Sequence, residues 1–245
     1  MAFFTEYPQG IDLTALTFSR KWDGTTGFGE LSYRPRAPFM LSPGDVLPPF
    51  LSPIVPALLR ASANAVPPGG IFHGYDVYPV MQAQLGVQQD GRVGATSVAG
   101  SVEVVAKHAV GLPDPAVRRY GRADLFGVGP IFGNCLVTTA TPARQCTQAG
   151  YATSDAWGYR LRAEARWPQL AANLAATATA TFTHDVKGWS GDFLLNQGRK
   201  TLNLALRFEY RQRYLFEAVW LPVWGGDYNP FSDRDTLALA VGVKF

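Results

Sequence analysis

Apolar and polar residues alternate along most of this chain. Between Trp157 and Trp167, the residues Trp157, Tyr159, Leu161, Ala163, Ala165 and Trp167 fall on one side, and Arg160, Arg162, Glu164 and Arg166 on the other. A helix cannot segregate residues this way, because positions two apart lie on opposite sides of it, whereas successive side chains of a strand point to opposite faces. The last ten residues repeat the pattern, with Leu237, Leu239, Val241, Val243 and Phe245 opposed to Thr236, Ala238, Ala240, Gly242 and Lys244. The same period predicts strands over Ile11 to Lys21, Gly27 to Arg34, Val77 to Gln88, Ala99 to Ala109, Leu174 to Thr183, Leu202 to Tyr210 and Tyr214 to Trp220. Alanines in Leu174 to Thr183 could suggest a helix, but the alternating threonines favour a strand.

Long and short connections alternate between these nine strands. Asp23-Gly24 is a hairpin signal, Asp90-Gly91 predicts a second brief turn, and Pro168 to Asn173 and Arg211 to Arg213 are short. The stretches Pro35 to Tyr75, Val110 to Thr153, His184 to Arg199 and Pro222 to Asp235 are long, with one short helix expected at Val55 to Asn64. This rhythm, with an aromatic final residue, resembles bacterial outer-membrane barrels, which carry long extracellular loops, short periplasmic turns and a terminal strand read by the insertion machinery. Along a strand tilted near 40°, Trp157 and Trp167 stand roughly 25 Å apart on the membrane normal, the height of an apolar band between aromatic girdles. The expected fold is therefore all-β, an antiparallel transmembrane β-barrel with about nine strands in this chain. Trp157, Trp167, Tyr210, Tyr214 and Phe245 are its expected lipid-facing girdle and insertion signal.

Composition narrows the alternatives. The chain has 245 residues, is 47% apolar and 17% charged, and carries 22 Lys and Arg against 19 Asp and Glu. No run approaches the roughly 20 apolar residues of a membrane helix. The positive charges are scattered, which argues against a nucleic-acid partner. An odd strand count conflicts with the even number of single-chain barrels, and Met1 to Pro8 lacks the form of a signal peptide. Residues 1–245 are therefore expected to be the C-terminal part of a single, larger barrel domain.

Particular phrases carry a more specific likeness. They are Gly29 to Pro38, Arg119 to Gly127, Trp157 to Arg160, His184 to Gly188, Asn196 to Lys200 and Tyr228 to Asp235. Together they resemble the C-terminal half of the proteobacterial outer-membrane proteins catalogued as domain of unknown function 1302. The resemblance implies a β-barrel in the outer membrane of a Gram-negative bacterium, whose members tend to be associated with catabolism or export of hydrophobic compounds. It implies no catalytic residue, cofactor or metal.

The candidate chemistry lies on the polar faces. Arg160, Arg162, Glu164, Arg166, Arg207, Glu209, Glu217, Glu103 and Lys107 are candidates to face a lumen, where rings of charge bias the passage of solutes. A salt-bridge lattice filling the interior is the alternative reading. Cys135 and Cys146 are read as a disulfide closing a short loop in an oxidising compartment, against two free thiols. His184-Asp185 could be half of a hydrolytic triad, but no G-x-S-x-G elbow occurs. Asp227, Asn229, Asp233 and Asp235 lack the spacing of a calcium loop. The function expected is porin-like passage of small hydrophobic or amphipathic compounds, with outer-membrane lipid and the insertion machinery as partners. A plugged barrel serving a periplasmic or lipoprotein component is the alternative, and an outer-membrane hydrolase the third.

Overall fold

The computed structural model describes residues 4–43, 45–46, 69–127, 129–130 and 146–245. The expected helix at Val55 to Asn64 and Cys135 lie outside them. The described residues are built on one antiparallel sheet. Its strands are β1 (Thr14–Trp22), β2 (Thr25–Met40), β3 (Tyr75–Val93), β4 (Thr96–Ala109), β5 (Asp155–Ala171), β6 (Leu174–Lys187), β7 (Lys200–Tyr210), β8 (Tyr214–Leu221), β9 (Val223–Trp224) and β10 (Thr236–Val243). Each long strand pairs with its sequence neighbour, in the order β1-β2-β3-β4-β5-β6-β7-β8-β10. The two residues of β9 continue β8 past Pro222 and pair with Lys200 and Thr201 of β7. The nine expected strands are therefore all present, most of them longer than the alternation suggested.

The extra length has local causes. β2 runs through Pro35 and Pro38, a stretch expected to be irregular. A register shift between Arg34 and Ala37 accommodates Pro35, because a bulge leaves a residue outside the ladder and needs no N–H from it. Asp90-Gly91 is not the turn between β3 and β4. Those residues pair with Ala99 and Val98, and the chain reverses at Gly94, which takes a φ of 59°. The first hairpin turns where expected, since Asp23 and Gly24 both have positive φ and so match the right-handed strand twist.

The sheet is open. β1 pairs only with β2, and β10 only with β8. With nine antiparallel strands, these two edges run in the same direction and cannot close as an antiparallel seam. No helix among the described residues is long and apolar enough to cross a membrane.

Register aligns the alternation of every strand into two faces. One transverse row reads Trp167, Ala176, Phe208, Phe216 and Val241, and the next Ala165, Ala178, Leu206, Ala218 and Leu239. This face is mostly apolar from Leu16 and Phe18 of β1 to β10, with Arg20 and Gln89 as polar interruptions, and many of its side chains are exposed: Leu16 by 72%, Leu239 by 65% and Val241 by 82%. The opposite face carries the Gln, Thr, Arg and Glu residues. The buried core lies on that polar face at the long-loop end, where Ala37, Phe39, Leu41, Ala109, Tyr120 and Ala152 cluster.

Candidate functional site

The polar face is laced by short-range charge pairs. Glu103 stands opposite Arg160 across β4 and β5, and Arg207 opposite Glu217 across β7 and β8. Arg162 donates to Glu164 at 2.6 Å, and Lys244 to Glu209 at 2.8 Å. The residues Thr177, Thr179, Thr181 and Thr183 of β6 form a hydroxyl ladder between the charges of β5 and β7. Arg166 lies between Ser97 and Thr177, with no carboxylate directly opposite. All nine polar-face candidates thus share one face, although exposed pairs such as Arg162–Glu164 add little stability.

The aromatic candidates occupy both ends of the apolar face. Trp157 lies at the long-loop end of β5 and Trp167 near its short-turn end. Tyr210 and Tyr214 flank the Arg211–Arg213 turn, with their rings 6.5 Å apart and near parallel. Val243 pairs with Tyr214, which puts the fully exposed Phe245 at the same end. Trp22 joins this end and Trp220 the other, two positions the sequence reading left out.

The long connections fold over the polar face and form a cap. Arg119 is its centre, fully buried with Asp45, to which it donates through Nε at 2.7 Å and again through Nη2. Its Nη1 reaches the Pro130 carbonyl at 2.9 Å. Arg122 donates to the carbonyls of Thr147, Ala149 and Phe126. Both guanidinium groups lie 4.9 Å from the ring of Tyr151, and Arg122 also stacks on Tyr228 at 4.6 Å. Burial pushes the Arg122 pKa down, against the opposing pull of Tyr151 and Tyr228. Beside this cluster, Tyr120 donates to Asp76 at 2.7 Å and shares a hydrogen bond with Tyr78. Burial first, and those hydrogen bonds second, raise its phenol well above the ordinary value.

Several phrases noted in the sequence meet here. Asp185 is buried, accepting from Arg199 Nε at 2.7 Å and from the Asn196 amide at 3.0 Å, while Asn196 donates to the Tyr228 carbonyl at 2.9 Å. Asp185 is therefore engaged by Arg199, and the His184 ring packs on Tyr159 at 5.5 Å. Asn229 is likewise spent on the Gly225 carbonyl and the Phe231 amide. Among the described residues no cluster of His, Cys, Asp or Glu could hold a metal, and no cysteine is free. The expected partner of Cys146 is the undescribed Cys135.

One cavity of about 150 Å³ opens between the cap and the polar face. Its floor is Ser32, Arg34, Val80, Gln82, Lys107 and Ala156, and residues 190–192 lean over it. Lys107 forms an ion pair with Asp192, which also accepts from Ser190 at 2.6 Å and from the Leu194 amide at 3.3 Å. Burial raises the Asp192 pKa, but the hydrogen bonds from Lys107 and Ser190 and the lysine charge outweigh it, so the carboxyl titrates below its usual range. The alternation sets Lys107, Ser32 and Arg34 on polar faces, but of these only Lys107 is a site candidate from sequence, and Asp192 is none, because the cavity exists only once residues 190–192 fold back over β2 to β5.

A family model described as a protein of unknown function, DUF1302, matches residues 1–245. No curated protein and no solved structure matches the chain.

Proposed function

For a chain that belongs to the DUF1302 family, we propose an outer-membrane β-sheet protein of a Gram-negative bacterium. Its role is porin-like passage of small hydrophobic or amphipathic solutes along the polar face. The observation that carries this reading is the predominantly apolar and largely exposed face across all nine long strands, interrupted at Arg20 and Gln89 and backed by a face rich in Thr, Gln, Arg and Glu. In water such an area of exposed Leu, Val and aromatic side chains is a heavy liability, whereas against lipid chains it is a solvated surface. Aromatic side chains at both ends of that face suit the two lipid–water interfaces. The charge pairs of the polar face suit a wetted passage. Planar-bilayer conductance and liposome swelling test the reading. Solute-dependent swelling is expected, and a tight, non-conducting insertion contradicts it.

A second reading rests on the cap. The buried Arg119–Asp45 and Arg122–Tyr151–Tyr228 cluster covers one end of the polar face, as a plug does. A plugged barrel that docks a periplasmic or lipoprotein component would remain non-conducting in the same experiment and would co-purify with that component.

A further inference from the structure

The cavity under residues 190–192 holds donors that nothing in the fold uses. Ser32 is only 8% exposed, yet its hydroxyl has no hydrogen-bond partner among the described residues. Gln82 stands directly opposite Ser32 across β2 and β3, and its amide is likewise unpartnered there. Arg34, two residues along β2, has no ion-pair partner among the described residues. The single acid of the lining, Asp192, is already committed to Lys107, Ser190 and Leu194. With Lys107 neutralised by Asp192, the lining keeps the positive charge of Arg34. The rest of the wall is mostly apolar, with Ala37, Phe39, Val80, Ala109 and Ala156 beside Thr153 and Ser154, whose hydroxyls are already given to Asp155.

An unfilled guanidinium, hydroxyl and amide beside an apolar wall are the parts needed to hold a carboxylate that carries a compact apolar body. A guanidinium fork matches the two oxygens of a carboxylate. The cavity has the size of one known to take up benzene, roughly 150 Å³, while its open side leaves room for the charged group. We propose that Arg34, Ser32 and Gln82 form a binding site for small aryl or short-chain monocarboxylates of about benzoate size. Binding stands on the cavity alone, while its role as an entry station for solute rests on the porin-like reading.

The test is calorimetric titration of the folded chain in detergent with sodium benzoate, benzyl alcohol and benzylamine, paired with bilayer conductance on the same preparation. Saturable benzoate binding is expected, with benzyl alcohol at least about ten-fold weaker, because a charge-assisted contact is worth about that factor or more. Arg34→Gln should lose about ten-fold in benzoate affinity, and Arg34→Lys should recover part of it. Arg34 is exposed and unpaired, so both variants should fold, which circular dichroism checks. Equal binding of benzyl alcohol, preference for benzylamine, an unchanged Arg34→Gln or no benzoate binding by the folded chain each overturns the site. A conducting chain that binds no benzoate sinks this inference and leaves the passage reading standing; a binding chain that conducts nothing does the reverse.

Discussion

The sheet and the cap are built on opposite principles. In the sheet, apolar side chains face outward, and order comes from the backbone ladder and from pairs one strand apart. In the cap, the inside is polar and aromatic: Arg119, Asp45, Tyr151, Arg122 and Asp185 are buried and held by hydrogen bonds and guanidinium stacking. The cap resembles the interior of a water-soluble protein, with its desolvated charges paired. The sheet lacks such an interior and has an exterior suited to an apolar medium. Under the proposed membrane function, two solvents, lipid and water, account for the two designs in one chain.

The difference can be broken most severely in the cap. Asp45→Ala leaves the Arg119 guanidinium buried without its carboxylate, and removing one partner of such a pair costs about 3–5 kcal/mol. Limited proteolysis should then cut the loops while far-ultraviolet circular dichroism of the sheet persists. If sheet and cap unfold together, they are one unit and the comparison fails. On the sheet, Leu161→Arg on the apolar face should cost about 2–4 kcal/mol of unfolding stability in bilayers. Thr181→Arg, on the polar face of the neighbouring strand, should stay within about 0.5 kcal/mol. Equal costs at the two sites would remove the distinction between faces.

Gly188 joins the two regions. It takes a φ of 81°, and a Cβ there would collide with the Asp155 carbonyl at the start of β5. Gly188→Ala should destabilise the cap by about 1–3 kcal/mol, read as faster amide exchange at Trp189 and Leu195, with the centre of β5 unaffected. The smallest effect is that of pH on residues 190–192. Because the Asp192 carboxyl titrates lower in the folded chain than in the unfolded one, its stabilisation is fully present above the ordinary value of about 3.9. It is lost as pH falls through the lower folded value. Exchange at Leu194 should therefore accelerate only in that acidic window, and Asp192→Asn should abolish the dependence.

Much of the sheet was legible because strand alternation is local. The period from Trp157 to Trp167 and from Leu237 to Phe245 names its face without knowledge of any neighbour. Ends were harder, since a bulge at Pro35 and the choice of Gly94 over Gly91 depend on the partner strand. The cap was not legible as a packed unit. Arg119 and Asp45 are 74 positions apart, and Thr147 and Tyr228 are 81 apart, so no window of sequence contains either contact. The phrases Arg119 to Gly127, His184 to Gly188, Asn196 to Lys200 and Tyr228 to Asp235 were the available signal. They specify how the loops pack on each other, whereas the cavity residues Ser32, Arg34 and Gln82 lie on ordinary-looking strands.

The claim that one face meets lipid has a direct measurement. Nitroxide labels placed singly from Tyr159 to Arg166 in β5, with the chain in bilayers, report collision with oxygen, which partitions into lipid, and with a water-soluble nickel relaxant. The account predicts a period of two, with oxygen dominant at positions 159, 161, 163 and 165 and nickel dominant at 160, 162, 164 and 166. Nickel access at every position, without alternation, would contradict it.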